Sequence, residues 1–115
     1  MESATNKVLL SGFAGTDAEV KNVGSQKLAK VRLAINESYR NSSGEDIKKV
    51  QWFNLVFWNA KADIAEAQIK KGTGLTIEGR LQNNSYDAKD GSKRYHFDIV
   101  VTDVVIRENE KQNAF

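Results

Sequence analysis

The sequence predicts an all-β fold, a small barrel of five strands with one short α-helix between the third and the fourth. Three observations carry the prediction. Five segments alternate apolar and polar residues with a period of two, or are rich in β-branched and aromatic residues. One segment alone, residues 60–71, is built of good helix formers. Short polar turns, rather than long linkers, separate the segments.

The first strand is Lys7–Phe13, apolar-rich and halted by Gly12 and Gly15. In the second, Lys30–Asn36, Val31, Leu33 and Ile35 share one side, while Arg32 and Asn36 share the other. Asn41–Gly44 supplies a turn, and the third strand, Val50–Trp58, is the most aromatic. In the helix, Ala62, Ile64, Ala65 and Ile69 fall on one face. Asn59 is placed to cap its start and Gly72 its end, with Lys70 and Lys71 in the last turn, where cations suit the helix dipole. Leu75–Leu81 and Tyr95–Ile106 are the last strands, joined across Asp87–Gly91, whose Asp90-Gly91 step is a hairpin signal. Three strands, a helix and two strands is the order of an OB-fold barrel. Residues 1–107 are expected to form that domain and 108–115 a short, polar, frayed tail.

At 115 residues the chain suits one domain with an adequate core, so association between copies would add burial. It has no cysteine and a single histidine, His96. That excludes a disulfide framework, a thiol nucleophile and Cys- or His-rich metal sites, and no cofactor is expected. The acid pairs Asp17/Glu19, Glu45/Asp46 and Asp87/Asp90 fall in expected loops and turns. They read as turn formers and solvating charge, not as the clustered carboxylates of a metal-dependent nuclease. His96 reads as a strand residue without catalytic work, and the chain is not expected to be an enzyme. The apolar run after Lys7 is only Val8-Leu9-Leu10, shorter than the ~7–15 residues of a secretory signal core. Nothing approaches the ~20 apolar residues of a membrane span, so a cytoplasmic protein is expected.

The net charge of +2 is small but unevenly placed. Residues 21–49 hold seven Lys/Arg against three acids, residues 70–95 hold six against three, and the remainder is acidic. Two basic stretches suit an anionic partner, and solubilising loops would look the same. Between them lies the most informative segment, Gln51–Trp58. Alternation turns Phe53, Leu55 and Phe57 to the core and Trp52, Asn54, Val56 and Trp58 outward. Outward tryptophans serve either base stacking, at ~1–3 kcal/mol per base, or a subunit interface. The residues alone leave both open. Tyr39, Tyr86 and Tyr95 sit by the polar turns next to Arg40 and Arg94, the mixture a stacking platform uses. Tyr39 shares parity with core-facing Val31, Leu33 and Ile35, so it reaches the outer face only through a bulge or twist near Glu37-Ser38.

Four stretches resemble the bacterial single-stranded DNA-binding protein family. They are Asn6–Gly12 with Asp17–Val20, Leu33–Arg40, Trp52–Trp58, and Lys71-Gly72 followed by Ile77–Gly79. The likeness spans roughly residues 6–106, and its specificity lies in the joint order and spacing. It implies an OB-fold with single-stranded DNA wrapped over aromatics, bound without sequence preference during replication, recombination or repair. By correspondence the stacking positions are Tyr39, Trp52, Trp58 and Tyr86, with an aromatic kept at each, and Lys7, Lys21, Arg40 and Lys71 match basic positions. Lys48, Lys49, Arg80, Lys93 and Arg94, from the basic stretches, complete the expected phosphate contacts. The family usually forms tetramers, which implies a homotetramer, with a dimer as the alternative.

The departures from the family also carry expectations. The family commonly has arginine where Asn54 stands and basic residues where Asn84 and Ser85 stand, which implies weaker phosphate contacts and a reduced salt dependence. Its housekeeping members continue into a long Gly/Pro/Gln-rich tail with an acidic, phenylalanine-terminated tip. Here Asn109–Phe115 ends in Phe without a run of acids, which makes recruitment of replication proteins through such a tip doubtful. The sequence reads as a specialised short member or as the barrel of a longer chain. A second functional reading is an OB-fold interaction subunit of a primosome-like or mobile-element assembly, with weak DNA binding of its own. RNA stays open as a ligand, because stacking does not read the 2′-OH.

Overall fold

A computed structural model describes residues 5–107, so the expected tail at 108–115 lies outside the described residues. The two polar turns each fold a long hairpin. Between β1 (Val8–Ala14) and those hairpins lies a short strand, β2 (Glu19–Val23). Asn41 joins β3 (Gln26–Arg40) to β4 (Asp46–Trp58), its Oδ1 accepting hydrogen bonds from the backbone N–H groups of Ser43 and Glu45. Such bonds are why Asn favours turns. The second hairpin follows the helix α1 (Ala60–Gln68) and joins β5 (Gly74–Asp87) to β6 (Lys93–Arg107). In its turn Gly91 takes φ +89°, and Asp90 accepts from the Ser92 hydroxyl and backbone N–H. Those two bonds, the hydroxyl's first, hold the Asp90 carboxyl below its ordinary pKa.

The hairpins close into a barrel. β1 lies antiparallel to β5 and touches β3 at Phe13–Ala34 and Ala14–Leu33. β4 lies parallel to β6 at Leu55–Ile99 and Val56–Val100. The circuit β1-β5-β6-β4-β3 is therefore closed, which is the expected five-stranded OB-fold barrel with its helix between β4 and β5. β5 shifts register against β6 between Glu78 and Gly79. A Cβ at Gly79 would lie 2.4 Å from the Val100 carbonyl oxygen, so this bend requires glycine. Inside, Val31, Leu33, Leu55, Phe57, Leu75, Ile77, Ile99 and Val101 are buried, and α1 adds Ala62 and Ala65, with Ile69 just beyond it.

The structure corrects three expectations. β2 pairs along β3 from Glu19–Lys30 to Val23–Gln26, a strand the sequence does not announce. Four of its five residues are exposed, so no apolar alternation marks it, and it extends the sheet edge without entering the closed circuit. The helix ends at Gln68, earlier than Lys71. Ile69 is already extended, and Gly72, with φ +94°, serves the turn beyond, donating its N–H to the Ala14 carbonyl at 2.8 Å. Asn59 holds the N-cap position, its carbonyl accepting from the Asp63 N–H at 3.0 Å, but its side chain makes no capping bond. Its Oδ1 accepts from the Lys27 N–H at 3.0 Å and its own N–H donates to the Lys27 carbonyl at 2.8 Å, so it fastens the end of β4 to β3. The Lys27 ammonium in turn donates to Asp63 and Glu66 of α1, and the two carboxylates, Asp63 first, hold its pKa above the ordinary lysine value. That charge braces the helix against β3. Among the described residues, no helix is long and apolar enough to cross a membrane.

Candidate nucleic-acid interface

The β3–β4 ladder runs unbroken from Leu28–Trp58 to Arg40–Asp46. Residues opposite one another in such a ladder share a face. Leu55 and Phe57 are fully buried and Phe53 packs against the core, as expected. The outer face carries Trp52 opposite Ala34, Asn54 opposite Arg32, Val56 opposite Lys30, and Trp58 opposite Leu28. Arg32 and Lys30 therefore stand between the two tryptophans, which are ~20 Å apart along the strand at ~3.3 Å per residue. Neither cation belongs to the set expected from the sequence. The signal for both was available, because counting back from the Asn41–Glu45 turn pins the register and puts each on the tryptophan face.

Trp52 is 48% exposed. Its ring lies against Gly15, where a Cβ would sit 2.4 Å from the ring atom Cζ3. The Arg32 guanidinium carbon lies 4.6 Å from the ring centroid, a cation–π contact. Trp58 is half-buried. Val56 faces outward by parity yet is only 6% exposed, because it floors a groove of about 810 Å³. The walls of that groove are the Gly15–Glu19 loop, Lys30 and Arg32 of β3, and His96 and Asp98 of β6, with Lys71 also lining it. His96 Nε2 lies 2.8 Å from one Asp98 carboxylate oxygen, and Asn84 donates to the other at 2.9 Å.

The remaining expected residues are spread over other surfaces. No bulge breaks β3 near Glu37-Ser38, so Tyr39, opposite Ile47, lies on the ribbon face reverse to Trp52. Tyr86 lies opposite Arg94 towards the tip of the β5–β6 hairpin, and Tyr95 is opposite Ser85. All three tyrosines are exposed. Lys48 and Lys49 border a shallow depression beside Asn36 and Val50, and Lys49 is opposite Glu37. Lys21 on β2 and Arg80 on β5 are exposed. The backbone N–H of Lys71 donates to Asp17 at 2.8 Å. Several of these cations already face carboxylates. Arg40 pairs with Asp46 at 3.3 Å, Arg94 with Asp90 at 3.7 Å, and Lys7 with Glu78 at 3.7 Å, while Lys93 is opposite Asp87. The acid pairs noted in the sequence are thus held by turns and cross-strand partners, with Glu45 accepting from the Asn41 side chain.

Fold and face together define an OB-fold barrel that presents aromatics and cations on one strand ribbon. The model of the single-strand binding protein family matches residues 5–106, and the chain belongs to that family. Single-stranded DNA-binding protein 1 of Chlorobaculum tepidum is 40% identical over 106 residues, covering 90% of this chain and 65% of its own length. The single-stranded DNA-binding protein of Neisseria meningitidis serogroup A is 30% identical over 110 residues, covering 95% of this chain and 63% of its own. The chain thus spans a little under two thirds of these relatives. Among solved structures, a Plasmodium falciparum SSB in complex with ssDNA superposes with a TM-score of 0.85 at 24% identity, over 94% of this chain and 99% of that one. That likeness supports the barrel.

Proposed function

We propose that the protein binds single-stranded DNA without sequence preference, stacking bases on Trp52 and Trp58 and setting phosphates against Arg32 and Lys30 between them. The carrying observation is the order Trp52, Arg32, Lys30, Trp58 on one outer face, where neither cation is ion-paired among the described residues. Stacking supplies ~1–3 kcal/mol per base and is indifferent to base identity. Phosphate contacts add a salt-dependent share. Asn54, where the family commonly has arginine, stands directly opposite Arg32, so this face keeps a cation one strand away from that position.

Tyr39 and Tyr86 extend the path, and a strand touching both Tyr39 and Trp52 passes round the edge of the ribbon. Lys21, Lys48, Lys49, Lys71, Arg80 and Lys93 offer further phosphate contacts. Lys7, Arg40 and Arg94 do so on releasing a carboxylate. The action is equilibrium binding with no chemical step, protecting exposed strands in the cytoplasm during replication, recombination or repair. Homotetramer assembly goes with it, supported by family membership and by exposed Leu9 and Val105 on the sheet of β1, β5 and β6. Titration with oligo-dT should quench tryptophan emission, and light scattering should give four times the 12.8 kDa chain mass. Unchanged emission at saturating oligo-dT would remove the stacking reading, and a one-chain mass the tetramer.

A further inference from the structure

We infer that Arg32 is a displaceable cap on Trp52, which leaves the indole face for a phosphate as a base takes its place. This deepens the stacking reading above and rests on it. The guanidinium lies over the ring at 4.6 Å from its centroid and so covers one π-face of an indole that is 48% exposed. Gly15 abuts the ring at Cζ3 and Cη2, so the indole is held in place while its face is covered. A cation and a base compete for such a face, since both interact with the same π-cloud.

The displaced guanidinium has somewhere to go. Arg32 is an exposed residue opposite Asn54 and beside Lys30's outer-face position, it lines the groove, and among the described residues no carboxylate holds it. Its planar fork matches a phosphate bidentately, which an ammonium does not. One residue therefore acts in two opposed ways. It hinders stacking on Trp52 and assists the neighbouring phosphate, so its net effect depends on salt.

That opposition gives a signature that neither a plain phosphate contact nor a plain structural role would show. In a Trp58→Phe background Trp52 is the only tryptophan, and R32Q can be compared with its parent by titrating oligo-dT from 50 mM to 1 M salt. R32Q should alter Trp52 emission before any DNA is added. Its log–log salt slope should be shallower by ~0.7, the share of one single-strand phosphate contact. Near 1 M salt it should bind about two- to fivefold tighter than the parent, because no cap need be displaced. The two lines should then cross between about 0.1 and 0.4 M salt, leaving R32Q the weaker binder at 50 mM. R32K should restore the slope. Lines that merge at 1 M without crossing, or that run parallel, would overturn the cap. Absence of quenching in both proteins would instead overturn the stacking reading, and the cap with it.

Discussion

The outer face of the β3–β4 ribbon and the two hairpin tips carry the same residue types in different states. On the face, Arg32 stands between the tryptophans opposite Asn54 and without an ion pair among the described residues, whereas Lys30, also without one, lies opposite Glu19 of β2. At the tips, Arg40 is held by Asp46 and Arg94 by Asp90, while Lys49 and Lys93 lie opposite Glu37 and Asp87. Deeper still, Lys27 is committed to α1 through Asp63 and Glu66. The linear density of positive charge is therefore a poor guide to where a polyanion binds. What matters is which cations are already held in an ion pair, because an exposed pair must be broken before its cation neutralises a phosphate.

The largest expected effect separates face from tip directly. Trp52→Ala should cost ~1–3 kcal/mol of oligo-dT affinity, whereas Arg94→Ala should change it less than about twofold, both measured by anisotropy of a labelled strand. Equal losses would erase the distinction. A smaller, opposite effect is expected of Asp90→Asn, which frees Arg94 and removes a negative charge. Affinity should rise at low salt, with a salt slope steeper by up to ~0.7. Smallest is Gly15→Ala. Its methyl group would collide with the Trp52 ring, whose outer end can shift, so unfolding free energy should move by less than about 1 kcal/mol while Trp52 emission changes. An unshifted emission spectrum would mean that Gly15 does not set the ring's position.

The barrel was legible because its signals are local. Alternation at Val31–Ile35 and Phe53–Phe57, and the turns at Asn41 and Gly91, each act within a few residues, and the structure keeps them all. β2 was not legible, because its pairing depends on β3 and four of its five residues face solvent. The helix end was misread because Lys70, Lys71 and Gly72 look like a helix terminus but are used in a turn tied to β1 through Ala14. Of the site, Trp52 and Trp58 were readable by parity from their own strand. Arg32 and Lys30 belong to the neighbouring strand, so seeing them requires folding the hairpin first. The reverse-facing Tyr39 follows from parity as well, since the strand carries no bulge to reverse it.

The closure of the barrel is lopsided. Long ladders hold each hairpin together, but β4 is fastened to β6 only at Leu55–Ile99 and Val56–Val100. That clasp lies beneath the groove, whose walls come from β3 on one side and β6 on the other. Under the proposed function, a strand of DNA bound across it would act as a suture between the two hairpins. Occupancy by DNA and the barrel's resistance to coming apart at this seam are then one linked free energy, read from two sides.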